Sequence, residues 1–174
     1  MEIWDVLDRD RRLTGRTMRR GDEMAAGDYH LVVHVCLFNA AGEMLIQQRQ
    51  LFKQGWSGLW DVTVGGSAVA GDSSQSAAQR ETLEEIGHRL DLGDIQPQLT
   101  VNFPTGFDDY YLIEAPGLDA NSLMLQYEEV KQVKWASREE IMRLIGTNEF
   151  IPYRKSLIDL LFDMRQGYGA IAGR

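Results

Sequence analysis

One stretch constrains this chain more than any other. Gly65 and Gly66 open a loop that runs through Gly71 and Asp72, and a polar segment then leads into Arg80, Glu81, Glu84, Glu85 and Gly87. Helix-forming residues continue from about Ser74 to Ile86. Positions three and four apart share a helix face, so the spacing gathers Glu81, Glu84 and Glu85 on one side. Like charges at that spacing repel by a few tenths of a kcal/mol per pair, roughly, in an isolated helix. A divalent cation resting on the carboxylates removes the repulsion, and hard oxygen donors suit Mg²⁺ or Mn²⁺. Asp72 reads as the helix N-cap, with Gln75 completing a capping box. It is also an acid placed to pair with Arg80. Gly87 reads as the helix stop. The bland alternative is a solvated helix with an acidic face, which Glu84 and Glu85 alone would not exclude.

The complete spacing narrows the choice. Gly66, Arg80, Glu81, Glu84, Glu85 and Gly87 fall in register with the Nudix box, which this stretch closely resembles. Three positions depart: Asp72 stands for a Glu, and Thr82 and His88 stand for apolar residues. None of these removes a metal ligand that the resemblance implies. It implies an α/β (α+β) fold, the Nudix α/β/α sandwich with a mixed sheet. It also implies a metal-dependent hydrolase in which the backbone carbonyl of Gly65 or Gly66 completes the metal shell.

Composition sets the outer limits. The 174 residues carry a formal net charge of -8, with one cysteine and no long apolar run. The length suits a single domain, 1–174, with an N-terminal hairpin and loop at 1–28, a core at 29–146 and a C-terminal helix at 147–174. The acidic balance speaks against nucleic acid or a membrane surface as partner. A phosphorylated substrate therefore needs a local basic cluster. The lone Cys36 lies in an apolar stretch and reads as core, with no disulfide framework. Without a signal-peptide or spanning pattern, a cytoplasmic protein is expected. A homodimer is compatible with the sequence, which does not fix the oligomer.

Taken in order, residues 2–7 and 13–20 read as a hairpin. The valine-rich segment 30–38 is a strand, followed by strands at 43–49, 60–64, 99–103, 110–114 and 130–135. Residues 104–109 read as a loop. Ser137 caps a helix from about 138 to 145, with Glu140 in a capping box, and Pro152 opens a last helix reaching about 165. Strands mixed with three helices suggest a mixed sheet between helical layers.

Arg49 and Lys53 are candidate phosphate ligands, since Arg can make two hydrogen bonds to a phosphate and Lys adds a mobile charge. Trp56 and Trp60 read as core or loop anchors. This region also resembles the type I isopentenyl diphosphate isomerases, which place an Arg and a Lys at the same spacing before a Trp-x-x-x-Trp loop. That resemblance implies Arg19, Arg49 and Lys53 as diphosphate ligands. The departures weigh more. The isomerases carry a catalytic Cys where this chain has Gly65, a metal-binding His at Ser67 and a further His at Glu23, and their catalytic Glu falls near 105–109, where there is none. His30 alone matches a metal-binding His. The chain thus resembles an isomerase scaffold that carries a hydrolase site.

His30 and His34 lie on one face of a strand but roughly 13 Å apart, too far to share one metal. His34 reads as a hydrogen-bonded sheet residue and His30 as a candidate pocket residue. Glu81 and Glu85 are expected as principal metal ligands, with Glu84 as a further ligand or water-activating base. Glu128 and Glu129 are candidates for a general base from a separate loop. The expected activity is Mg²⁺-dependent hydrolysis of a small-molecule diphosphate, either nucleoside diphosphate-X or a prenyl-type diphosphate. An isopentenyl diphosphate isomerase and a non-catalytic phospholigand-binding module are the alternatives.

Overall fold

The apolar run His30–Phe38 forms β3, the strand on which the rest of the sheet is hung. In the computed structural model, which describes residues 2–171, a hairpin of β1 (Ile3–Leu7) and β2 (Leu13–Arg19) precedes it. After it come β4 (Met44–Arg49), β5 (Trp60–Asp61), β6 (Val64–Ser67), α1 (Ser74–Ile86), β7 (Leu99–Phe103), β8 (Gly106–Glu114) and β9 (Val130–Ala136). Two helices close the chain, α2 (Arg138–Gly146) and α3 (Lys155–Met164). The β1–β2 hairpin forms its own small sheet. The main sheet is mixed, as expected: β3 and β8 run parallel over nine residue pairs, and its other pairings are antiparallel.

Alternation along β3 divides the interior in two, because successive side chains of a strand point to opposite faces. Val33, Val35 and Leu37 pack with Ala77, Ala78 and Ile86 of α1. Cys36 and Phe38 pack with Ile141 and Leu144 of α2 and with Ile158, Leu161 and Phe162 of α3. The sheet is therefore a middle layer, with α1 on one face and α2 and α3 on the other.

The strand expected over residues 60–64 is two strands. β5 pairs with β4, whereas β6 pairs with β3. The chain changes partner where β3 and β4 splay apart, since those two meet at only one pair, Phe38 with Met44. Thr63 fills the gap: its hydroxyl accepts from Leu37 N at 2.9 Å and donates to the Leu45 carbonyl at 2.5 Å. One buried side chain thus replaces ladder bonds between separating strands. The splay opens the sheet edge over which β6 delivers the glycine loop to α1.

Other expectations need correction. Residues 106–109 are not loop but the start of β8. Two adjacent aspartates disguise the strand, because strands are depleted in Asp. Both have partners: Asp108 bonds His34 Nε2 at 3.1 Å, and fully buried Asp109 takes Arg11, Ser74 and Thr100. The Arg11–Asp109 pair also ties the hairpin turn to the sheet. The last helix begins at Lys155 rather than at Pro152, because residues 150 and 151 are drawn alongside β5, with Ile151 N donating to the Trp60 carbonyl at 2.8 Å. Of the two tryptophans, Trp60 is buried, but Trp56 is exposed on the loop with a left-handed φ of 53°.

Candidate active site

The acidic helix spans the residues expected, Ser74–Ile86, but its cap differs. Its N-cap is Ser73, not Asp72, and Ser73 and Ser76 complete the capping box in place of Gln75. A serine hydroxyl is as good an N-cap as a carboxylate, and Asp72 is engaged elsewhere. Its Oδ2 accepts from Arg80 Nε and Nη2 at 3.1 and 2.9 Å, the pairing expected from spacing. Gly87 ends the helix at a left-handed φ of 68°.

Arg80 Nη1 reaches Glu81 Oε1 at 2.9 Å and Glu84 Oε2 at 3.2 Å. Burial works against its charge, but its hydrogen bond to Asp72 and the field of Glu81 hold its pKa above the ordinary value. Gly66 allows Glu81 to sit where it does. A Cβ on Gly66 would lie 2.2 Å from the Glu81 carboxyl carbon, so any other residue would expel the carboxylate from the loop backbone.

Glu81, Glu84 and Glu85 meet Gly65, Gly66 and Ser67 in one small cleft of about 120 Å³. Arg49, Gln126 and Glu129 line the same cleft, with Gln126 N donating to the Glu85 carbonyl at 2.9 Å. Glu85 is the most deeply set, only 4% exposed. Burial pushes its carboxyl up to about 8, the neighbouring Glu81, Glu129 and Asp61 add to the rise, and a hydrogen bond from Gln47 opposes it. Burial likewise raises Glu81, against the pull of Arg80. Two buried carboxylates made costly to ionise, with more acids facing them, are the environment that a divalent cation relieves. The donor set fits such an ion: carboxylate oxygens and a glycine backbone, all hard ligands. Among the described residues, no three His, Cys, Asp or Glu side chains form a preassembled metal cluster. Glu81 and Glu84 are turned toward Arg80, so holding a cation requires them to exchange part of that pairing.

The remaining sequence-derived candidates divide. Arg49 lines the cleft and donates from Nε to the Gly55 carbonyl at 3.1 Å. Lys53 does not stand free: its Nζ lies 2.5 Å from Glu129 Oε1. Of the two candidate bases, Glu129 lines the cleft and Glu128 is exposed outside it. Arg19 is exposed at the end of β2, and it is the adjacent Arg20 that enters the cleft wall, forked onto Glu2 at 2.9 and 3.0 Å. His30 is not in the cleft wall. Its ring stacks on Trp4 at 4.5 Å and its Nδ1 bonds the Thr105 carbonyl at 3.0 Å. His34, stacked on Tyr110, is the hydrogen-bonded sheet residue it was expected to be.

Sequence reasoning missed Gln47 and Asp61. Both are buried and face one another across β4 and β5. Asp61 accepts from the Tyr153 hydroxyl at 2.9 Å, and burial raises its pKa. The available signal was a polar residue at a buried strand position, in Met-Leu-Ile-Gln47 and in Leu-Trp-Asp61. A larger depression between α3 and residues 98–99 lacks convergent acids and lies apart from α1.

Residues 28–157 match the model of the NUDIX domain. A Nudix hydrolase of Listeria monocytogenes is 43% identical over 165 residues, which cover 95% of this chain and 96% of that protein. An isopentenyl-diphosphate Delta-isomerase of Salmonella arizonae is 30% identical over 121 residues, 67% of this chain and 66% of that protein. A Deinococcus radiodurans crystal structure superposes with a TM-score of 0.73 at 20% identity, over 97% of this chain and all of that one, which is a likeness of fold.

Proposed function

The chain belongs to the NUDIX family of hydrolases acting on phosphorus-containing acid anhydrides, and we propose that it is a Mg²⁺-dependent enzyme cleaving a diphosphate linkage in a small molecule. Nucleoside diphosphate-X compounds and prenyl-type diphosphates are the substrate classes in view. One observation carries the reading: three glutamates of α1 share a cleft with the Gly65–Gly66 backbone, Arg49 and Glu129. Enzymes of this family use divalent cations; Mg²⁺ is the proposed ion here, with Mn²⁺ as a substitute.

In this reading Glu81 and Glu85 hold the cation, and the Gly65 carbonyl adds a neutral oxygen. When bound, the ion neutralises phosphate charge and makes a water more acidic. Arg49 and Lys53 bind the diphosphate and set its orientation. Arg19 and His30, which lie outside the cleft wall, remain candidates for contacts with the substrate beyond it. Glu129 takes the proton from water as its oxygen attacks phosphorus and the bond from phosphorus to the leaving oxygen breaks; Glu84 and Glu128 are the other candidates for that role. The setting is cytoplasmic in this reading; no helix among the described residues is long and apolar enough to cross a membrane. A homodimer is compatible with it.

The likeness to an isopentenyl-diphosphate isomerase supports a second reading. Against it stands Gly65, which has no side chain to serve as an acid, and Ser67, a poor ligand for a metal. Incubating the protein with Mg²⁺ and a panel of nucleotide, sugar-nucleotide and prenyl diphosphates, with phosphate and diphosphate release measured and the prenyl products identified by mass spectrometry, tests the two together.

A further inference from the structure

Gln47 lies on β4 and is only 2% exposed. Its backbone is clamped from both edges of the strand, by Asp61 of β5 and by Val133 of β9. From that fixed base its Nε2 donates to Glu85 Oε2 at 2.9 Å. Among the described residues no other side chain bonds this carboxylate, which burial and three neighbouring acids otherwise surround. The direction of the amide suits the ionised carboxylate that a cation requires: reversed, it would set two oxygens face to face.

The same amide bears a cost. Its Oε1 is buried with no hydrogen-bond partner, and an unpaired buried carbonyl is destabilising. A Leu or Met at this position would fill the space without it. An amide that is costly on one side and bonded to Glu85 on the other points to a use for the donor.

We propose that Gln47 is a positioning residue for the cation site. It occupies Oε2 of Glu85, fixes the rotation of that carboxylate, and leaves Oε1 free of protein partners to face the ion. The proposal rests on the metal-dependent reading above. Hydrogen bonds from outside the ligand shell orient ligands in this way, and losing one typically lowers metal affinity about 10- to 100-fold.

The test is a double-mutant cycle on the full chain, read as Mn²⁺ affinity by electron paramagnetic resonance, with metal-free thermal unfolding alongside. Gln47→Met in the native background should weaken Mn²⁺ binding by about tenfold or more. In a Glu85→Gln background the same change should weaken it no further, since the carboxylate it orients is gone. A purely structural role would instead give equal losses in both backgrounds, or a lower unfolding temperature with unchanged affinity, and either result overturns the proposal. If Gln47→Met does not fold, Gln47→Asn, which keeps the amide but shortens its reach, enters the same cycle. Weakening by Glu85→Gln with none from Gln47 variants would sink the positioning role and leave the metal reading intact. Native protein that binds no Mn²⁺ would sink both.

Discussion

Lys53 Nζ sits 2.5 Å from Glu129 Oε1, with the two side chains 21% and 29% exposed. This pair joins two residues to which the sequence assigns separate tasks, one for phosphate and one for a proton. It ties the loop between β4 and β5 to the segment that leads into β9. A diphosphate arriving in the cleft competes with Glu129 for the ammonium and, in taking it, leaves the carboxylate unpaired. Glu129→Gln should lower kcat by about a hundredfold or more, within the range for a lost general base. Glu128→Gln should stay near the native rate, because Glu128 is exposed and does not line the cleft. Equal effects of the two in steady-state assays would remove Glu129 from the proposed role.

Arg49 and Lys53 are predicted to bind the diphosphate. A hydrogen bond to a charged group is worth about 1.5–3 kcal/mol, so Arg49→Ala should raise KM about tenfold or more. Lys53→Ala should do the same, with an added effect on kcat from the released Glu129. If both single variants keep the native KM on the substrate found by screening, these residues are surface charge.

The raised pKa of Glu85, about 8, sets a pH dependence. A carboxyl whose folded pKa lies above its unfolded value stabilises the fold fully below the unfolded value, and that contribution is lost as pH rises through the folded one. Metal-free protein should therefore lose unfolding temperature between about pH 5 and pH 8, and Glu85→Gln should flatten that decline. A cation that needs the ionised form displaces a proton. Its affinity should rise with pH up to about 8, by close to tenfold per unit. Calorimetric titrations in buffers of different ionisation heat would show the released proton; none released would contradict the coupling.

Isomerisation of isopentenyl diphosphate is predicted to be negligible. The reaction protonates a double bond and removes a proton elsewhere, which needs an acid and a base on either side of the substrate. Gly65 carries no acid, and a side chain there would crowd the sheet: an added Cβ would lie 3.1 Å from His34 Nδ1, which would have to give way. Asp108, near where the isomerases place their Glu, is bonded to His34. Mass spectrometry of products after incubation with isopentenyl diphosphate and Mg²⁺ checks this, and abundant dimethylallyl diphosphate would overturn the hydrolase reading.

Much of the architecture was legible because periodicity and capping act locally. β3 and α1 fall on the residues expected, 30–38 and 74–86, and Gly87 stops the helix as its type suggests. What stayed hidden depended on partners distant in sequence. The double aspartate at 108–109 reads as loop until Arg11 and His34 are seen to satisfy it. The break between β5 and β6 depends on Thr63 bridging two splayed strands. In the cleft, the helix acids were legible from their spacing, as was the Arg80–Asp72 pair. The choice between Arg19 and Arg20 was not, since one step along a strand reverses the face. Nor was Gln47, whose importance lies entirely in a contact 38 residues away.

The central claim is that α1 carries a catalytic cation on Glu85. The most direct test is the rate of diphosphate hydrolysis against Mg²⁺ concentration for native protein and Glu85→Gln, with circular dichroism on both. The account predicts saturable dependence on Mg²⁺ for the native enzyme, and loss of most turnover in Glu85→Gln with an unchanged spectrum. A folded Glu85→Gln protein with the native rate and the native Mg²⁺ dependence would contradict it.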